Sequence, residues 1–97
     1  MSVSVSTHVL DTATGKPAAG VRVELWQGGE LLGSGDTDAD GRIGQLASGL
    51  EPGLAEIVFH PPSEFFRRVT LEIVLEDGHV HIPLLVSPYA CAAYRGS

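Results

Sequence analysis

From Ser2 to Leu10 the chain alternates: Val3, Val5, Thr7 and Val9 fall on one side of an extended backbone, Ser4, Ser6, His8 and Leu10 on the other. Period two of this kind predicts a strand with one apolar and one mixed face. The turn formers of Asp11–Pro17 end it. Val21, Val23 and Leu25 alternate with Arg22, Glu24 and Trp26 in a second strand, and Gly28-Gly29 permits a tight turn into Leu31-Leu32. A loop over Asp36–Arg42 leads to a short strand near Ile43–Ala47. Leu54–Phe59 makes the next, stopped by Pro61-Pro62, since proline cannot donate to a ladder. Ser63–Arg68 reads either as one helical turn capped by Ser63 or as an irregular bridge. Val69, Leu71, Ile73 and Leu75 then alternate with Thr70, Glu72, Val74 and Glu76. Asp77-Gly78 turns the chain, and His79–Val86 runs back as a partner strand. Seven to eight short strands with at most one short helix predict an all-β fold, a Greek-key β-sandwich.

The length of 97 residues sets a single domain, 1–97, whose core is small. A chain of this size buries only roughly 60–65% of its extended surface, so partner subunits are expected to cover apolar faces and strand edges. Val80, Ile82, Leu84 and Val86 alternate with His79, His81, Pro83 and Leu85, which makes both sides of that strand substantially apolar. Only one side can face the subunit's own core. Six basic against twelve acidic residues, a net charge of −6, argue against nucleic acid, which would want a basic face. No stretch approaches the length of a membrane span, and Met1–Leu10 lacks the basic and apolar regions of a signal peptide. With Cys91 as the one cysteine, neither an internal disulfide nor a thiolate zinc knuckle is expected. A cytoplasmic location follows as the expectation.

Three groups of residues could carry chemistry. His8 stands mid-strand beside Ser4 and Ser6, either as a satisfied half-buried histidine or as a rigidly mounted base. His79 and His81, two apart in a strand, point the same way; with His8 they offer three nitrogens for zinc or a metal-free acid–base pair. His79 alone reads as a solvated strand start, and His60 beside two prolines as structural. Asp36-x-Asp38-x-Asp40-Gly41 copies the start of a calcium loop, but Ala47 stands where the bidentate glutamate belongs. It reads as an acidic surface turn with Gly41 at positive φ. Arg42, just after it, can aim a planar fork of donors at carbonyls and oxyanions. The end, Tyr94-Arg95-Gly96-Ser97, is rich in polar and aromatic groups for a chain terminus and reads as a docked tail.

Ser6-Thr7-His8-Val9-Leu10-Asp11 with Gly15-Lys16-Pro17-Ala18, then Asp40-Gly41-Arg42, then His81-Ile82-Pro83-Leu84-Leu85-Val86-Ser87-Pro88-Tyr89 and the terminal Tyr94-Arg95-Gly96-Ser97 span nearly the whole chain. Together they resemble the signatures of the 5-hydroxyisourate hydrolases, enzymatic relatives of transthyretin. The resemblance implies a transthyretin-like sandwich and hydrolysis of the N1–C6 bond of 5-hydroxyisourate in urate breakdown. It makes His8, Arg42 and His81 catalytic and Tyr94, Arg95, Gly96 and Ser97 substrate-binding. It also implies no metal or organic cofactor, and a homotetramer, a dimer of dimers with sites between the dimers. Which histidine is the base stays open. A non-catalytic transthyretin-like carrier of small molecules is the alternative, since one sandwich hosts binding as readily as chemistry. The chain departs from the family pattern in a short Phe59–Val69 segment and in Ala90-Cys91-Ala92-Ala93, which lacks the usual aromatic and hydroxyl groups before Tyr94.

Overall fold

In the computed structural model, which describes residues 2–96, Val3, Val5, Thr7 and Val9 of strand β1 (Val3–Asp11) are all sealed from solvent. The predicted apolar face is therefore the core face, and the Thr7 hydroxyl within it donates to the Ile82 carbonyl at 2.7 Å. Ser97, a predicted substrate-binding residue, lies outside the described residues.

Eight further strands follow: β2 (Lys16–Pro17), β3 (Arg22–Gln27), β4 (Glu30–Asp36), β5 (Arg42–Leu50), β6 (Gly53–His60), β7 (Val69–Leu75), β8 (Gly78–Val86) and β9 (Cys91–Ala93). One sheet has the order β2-β1-β8-β9, with β5 also paired to β1; the other has the order β4-β3-β6-β7. β2 and β5 share one edge of β1, while β8 lies parallel along the opposite edge from Val3↔Gly78 to Asp11↔Val86. Between the sheets Val23, Leu25, Ile57, Phe59 and Leu75 meet the β1 valines and Val80, Ile82, Leu84 and Val86. The all-β sandwich is as expected, although nine strands are described where seven to eight were predicted. The extra ones, β2 and β9, are two and three residues long, and pairing with β1 and β8 creates them where local propensity does not.

Ser63–Arg68 resolves as the irregular bridge. Ser63 still behaves as a cap, accepting from the Phe65 and Phe66 amides at 3.1 and 3.0 Å, but no helix follows. Its hydroxyl donates to the Pro88 carbonyl at 3.0 Å, and Phe65 meets Tyr89 edge-on, which ties this short bridge to the turn after β8.

Candidate active site

Parallel pairing of β1 with β8 decides what stands beside His8. The register sets Ser4 opposite His79, Ser6 opposite His81 and His8 opposite Pro83, so both strands turn their polar alternates outward together. On the other edge of β1, His8 is paired with Arg42 of β5. Two register shifts along the β1–β5 ladder bring the start of β5 to that point.

The turn before Arg42 has its own geometry. Gly41 sits at φ +73°, and a Cβ there would stand 2.5 Å from the Val9 carbonyl oxygen, so no other residue fits without displacing β1. Its carbonyl accepts from the Val9 amide at 2.8 Å. Asp38 Oδ1 accepts from the amides of Asp40 and Arg42 at 2.9 and 3.0 Å. The acidic run is thus a turn that delivers Arg42 to His8, with one carboxylate spent on backbone donors.

Ser6, Thr7, Arg42, Ile43, Gly44, His79 and His81 line a cleft of about 250 Å³. Ser6 Oγ lies 2.7 Å from both His81 Nδ1 and His79 Nε2, and Ser4 Oγ lies 2.7 Å from His79 Nδ1. Burial first, and then the charges of Arg42, His8 and His79, hold the His81 imidazole below its ordinary value of 6.5. His81 is accordingly neutral at physiological pH, with Nδ1 engaged by Ser6 and Nε2 left for chemistry. His8 does not line the cleft; it is half-buried and paired with Arg42, which does. Among the described residues no group of three His, Cys, Asp or Glu side chains is placed to hold a metal ion.

The tail docks, but its residues go to different places. The Gly96 amide donates to the His81 carbonyl at 2.7 Å, forming a bridge between the two residues. A Cβ at this position would stand 2.6 Å from His81 Cδ2, so glycine is what lets the tail lie against the imidazole. Tyr94 and Arg95 border a second groove of about 330 Å³ with Leu71, Ile73, Val80 and Ile82, on the side of β8 that faces the core. Arg95 Nη1 donates to Glu76 Oε1 at 3.1 Å, with both side chains largely in solvent. Within one chain, therefore, His8, Arg42, His81 and Gly96 come together, while Tyr94 and Arg95 stand apart. His60 is elsewhere, with Nε2 3.7 Å from Glu24.

The profile of the HIUase/Transthyretin family matches residues 5–96. The chain belongs to that family. The 5-hydroxyisourate hydrolase of Halalkalibacterium halodurans is 40% identical over 119 aligned positions that take in all of both proteins. Since this chain has 97 residues, the relative carries segments that it lacks, in keeping with the short connection from β6 to β7. Among solved structures, Klebsiella pneumoniae 5-hydroxyisourate hydrolase superposes with a TM-score of 0.89 at 35% identity, covering 98% of this chain and 99% of that one. Sea bream transthyretin in complex with thyroxine superposes with a TM-score of 0.85 at 22% identity over 95% and 93% of the two chains, a likeness of fold alone.

In this HIUase/Transthyretin family member, sequence reading passed over Ser4, Ser6 and the full engagement of His79. A signal for them existed. Two serines alternate with valines on the His8 face, and two histidines alternate on β8; only the parallel register shows that the pairs interlock.

Proposed function

We propose that this protein hydrolyses 5-hydroxyisourate, breaking the N1–C6 bond to give 2-oxo-4-hydroxy-4-carboxy-5-ureidoimidazoline. Arg42 and His81 lining one cleft, with His8 paired to Arg42, in a chain of this family, carry the reading. A histidine kept neutral by its surroundings is suited to take a proton from water, and His81 is the base in this reading. The resulting hydroxide attacks the C6 carbonyl. Arg42 holds substrate oxygens and stabilises the negative charge that develops there. His8, paired with Arg42 across the ladder, supplies a second proton-handling group, and Gly96 keeps the His81 ring in place.

The working unit in this reading is a homotetramer, a dimer of dimers with the cleft at the contact between dimers. Leu10 and Leu85, both partly exposed, supply apolar surface on the same outward side as His8 and His81, and strands β7 and β9 each present an unpaired edge. Val74 and Leu54, paired across β6 and β7, are 65% and 62% exposed, which is more apolar surface awaiting cover. The exposed free thiol of Cys91 fits a reducing cytoplasm.

The direct test generates 5-hydroxyisourate from urate in a cuvette and follows its decay with and without the protein. Acceleration proportional to protein concentration is the expected result. A decay left at its spontaneous rate would reject catalysis and favour a carrier with the same sandwich.

A further inference from the structure

Four side chains from two parallel strands form an unbroken file from the cleft toward solvent: His81, Ser6, His79 and Ser4, joined by three contacts of 2.7 Å. The donor count makes this file directional. Ser6 has a single hydroxyl proton and lies between two ring nitrogens, so it donates to one imidazole and accepts an N–H from the other. Each neutral imidazole likewise carries one N–H. Only two arrangements satisfy every contact, and they run in opposite directions. In the first, His81 Nδ1–H donates to Ser6, Ser6 to His79 Nε2, and His79 Nδ1–H to Ser4. That arrangement leaves His81 Nε2 as a lone pair. In the second every donor is reversed, and His81 carries its proton on Nε2.

We propose that Ser6, His79 and Ser4 form a proton wire that sets the tautomer of His81 and carries its Nδ1 proton to solvent, with Ser6 and His79 as positioning residues. The inference rests on His81 being the base. As His81 Nε2 takes a proton from the attacking water, its Nδ1 proton passes to Ser6 Oγ and the Ser6 hydroxyl proton to His79 Nε2. The His79 Nδ1 proton passes to Ser4 Oγ, and the Ser4 proton leaves to bulk water. Hydroxide has then added to the substrate carbonyl, and the wire stands in its second arrangement. When N1 departs it takes the Nε2 proton, and one proton entering from solvent at Ser4 runs back along the file to restore the first. No proton is gained or lost over the cycle beyond the water that is consumed.

The surroundings of His81 give the wire its purpose. An imidazolium there would be partly desolvated and close to the Arg42 guanidinium, two effects that oppose its charge. Passing the second proton on lets His81 act as a base without holding that charge. His79 is exposed and Ser4 half-buried, which gives the file an open end.

The test uses the full chain as wild type, His79→Gln and His79→Ala. Glutamine can still hydrogen-bond to both serines but cannot accept a proton at one atom while releasing it from another. Both variants are expected to lose about 10-fold in kcat with KM within about twofold, the size of a modest acid–base contribution. Free imidazole should restore the alanine variant and not the glutamine one. The ring ¹⁵N shifts of His81 in the resting protein should change in both, a readout that needs no turnover. A wild type that fails to hasten decay would reject the hydrolase reading by itself. Wild-type kcat in both variants, with His81 shifts unmoved, would overturn the wire while leaving that reading intact.

Discussion

The outer faces of the two sheets are built by the same alternation and carry opposite chemistry. On the β2-β1-β8-β9 sheet, Ser4, Ser6, His8, His79, His81 and Arg42 gather with Leu10, Pro83 and Leu85, a set of bases, hydroxyls and one cation without a carboxylate. On the β4-β3-β6-β7 sheet, Trp26 is in register with Glu56 and Glu56 with Glu72, so two carboxylates stand directly opposite one another. Glu24 on that face is 3.9 Å from Arg22 and accepts from the Trp26 indole at 3.2 Å. The difference teaches which sheet face tolerates opposed carboxylates. Glu24, Glu56 and Glu72 are three of the twelve acids and most of the others lie in turns, so the face with the cleft is left to receive an oxygen-rich substrate and to stabilise developing negative charge.

The sharpest way to break this contrast is to put an acid on the wrong face. Leu85→Glu should dissociate the proposed tetramer to dimers or monomers and abolish turnover, although it alters no catalytic group; sedimentation and the decay assay report the two together. Full activity from a monomer of about 10 kDa would remove the subunit contact from the account.

Next in size, alanine at His8, Arg42 or His81 should each reduce turnover at least about 100-fold with circular dichroism unchanged. Near-wild-type turnover in all three would place the chemistry somewhere else. Gly96→Ala tests a subtler claim, because its Cβ must push the His81 ring or the tail aside. A fall of about 10-fold in kcat/KM is expected, in line with the sensitivity of catalysis to misplacement. An unchanged value would mean that the tail does not hold the ring.

The pH dependence follows from the sign of the His81 shift. A histidine held below 6.5 is deprotonated, and competent as a base, from that side upward, so kcat/KM should rise with pH through a midpoint below 6.5 to a plateau on the alkaline side. Removing a neighbouring cation should weaken the depression, and NMR titration of Arg42→Gln should show the His81 midpoint moved up toward 6.5. A downward movement would contradict the proximity of the two groups. The smallest effect belongs to the acidic face. Glu56→Lys replaces a like-charge pair with an opposite-charge one across from Glu72, which should add on the order of 0.5 kcal/mol to stability. Activity should stay the same, and thermal unfolding with the decay assay checks both halves of that statement.

Alternation by itself determined which side of β1 and β8 is buried, because a side chain's face in a strand depends on nothing but its parity. It also pointed to the sandwich class, while the turn residues foretold the positive φ of Gly41 and the resemblance of the signature motifs supplied the candidate trio His8, Arg42 and His81. The low-propensity stretches were invisible locally. Gly33-Ser34-Gly35 continues β4, and Ala92-Ala93 lies in β9, only because a neighbouring strand supplies the hydrogen bonds. The placement of the tail was equally out of reach, with Gly96 on His81 and Tyr94 and Arg95 in a separate groove. The file His81, Ser6, His79, Ser4 was hidden for a further reason. Its halves lie more than seventy residues apart, and the parallel register of β1 on β8 that joins them follows from how the two sheets pack. A register shifted by two residues would have kept both faces as they are and changed which serine meets which histidine.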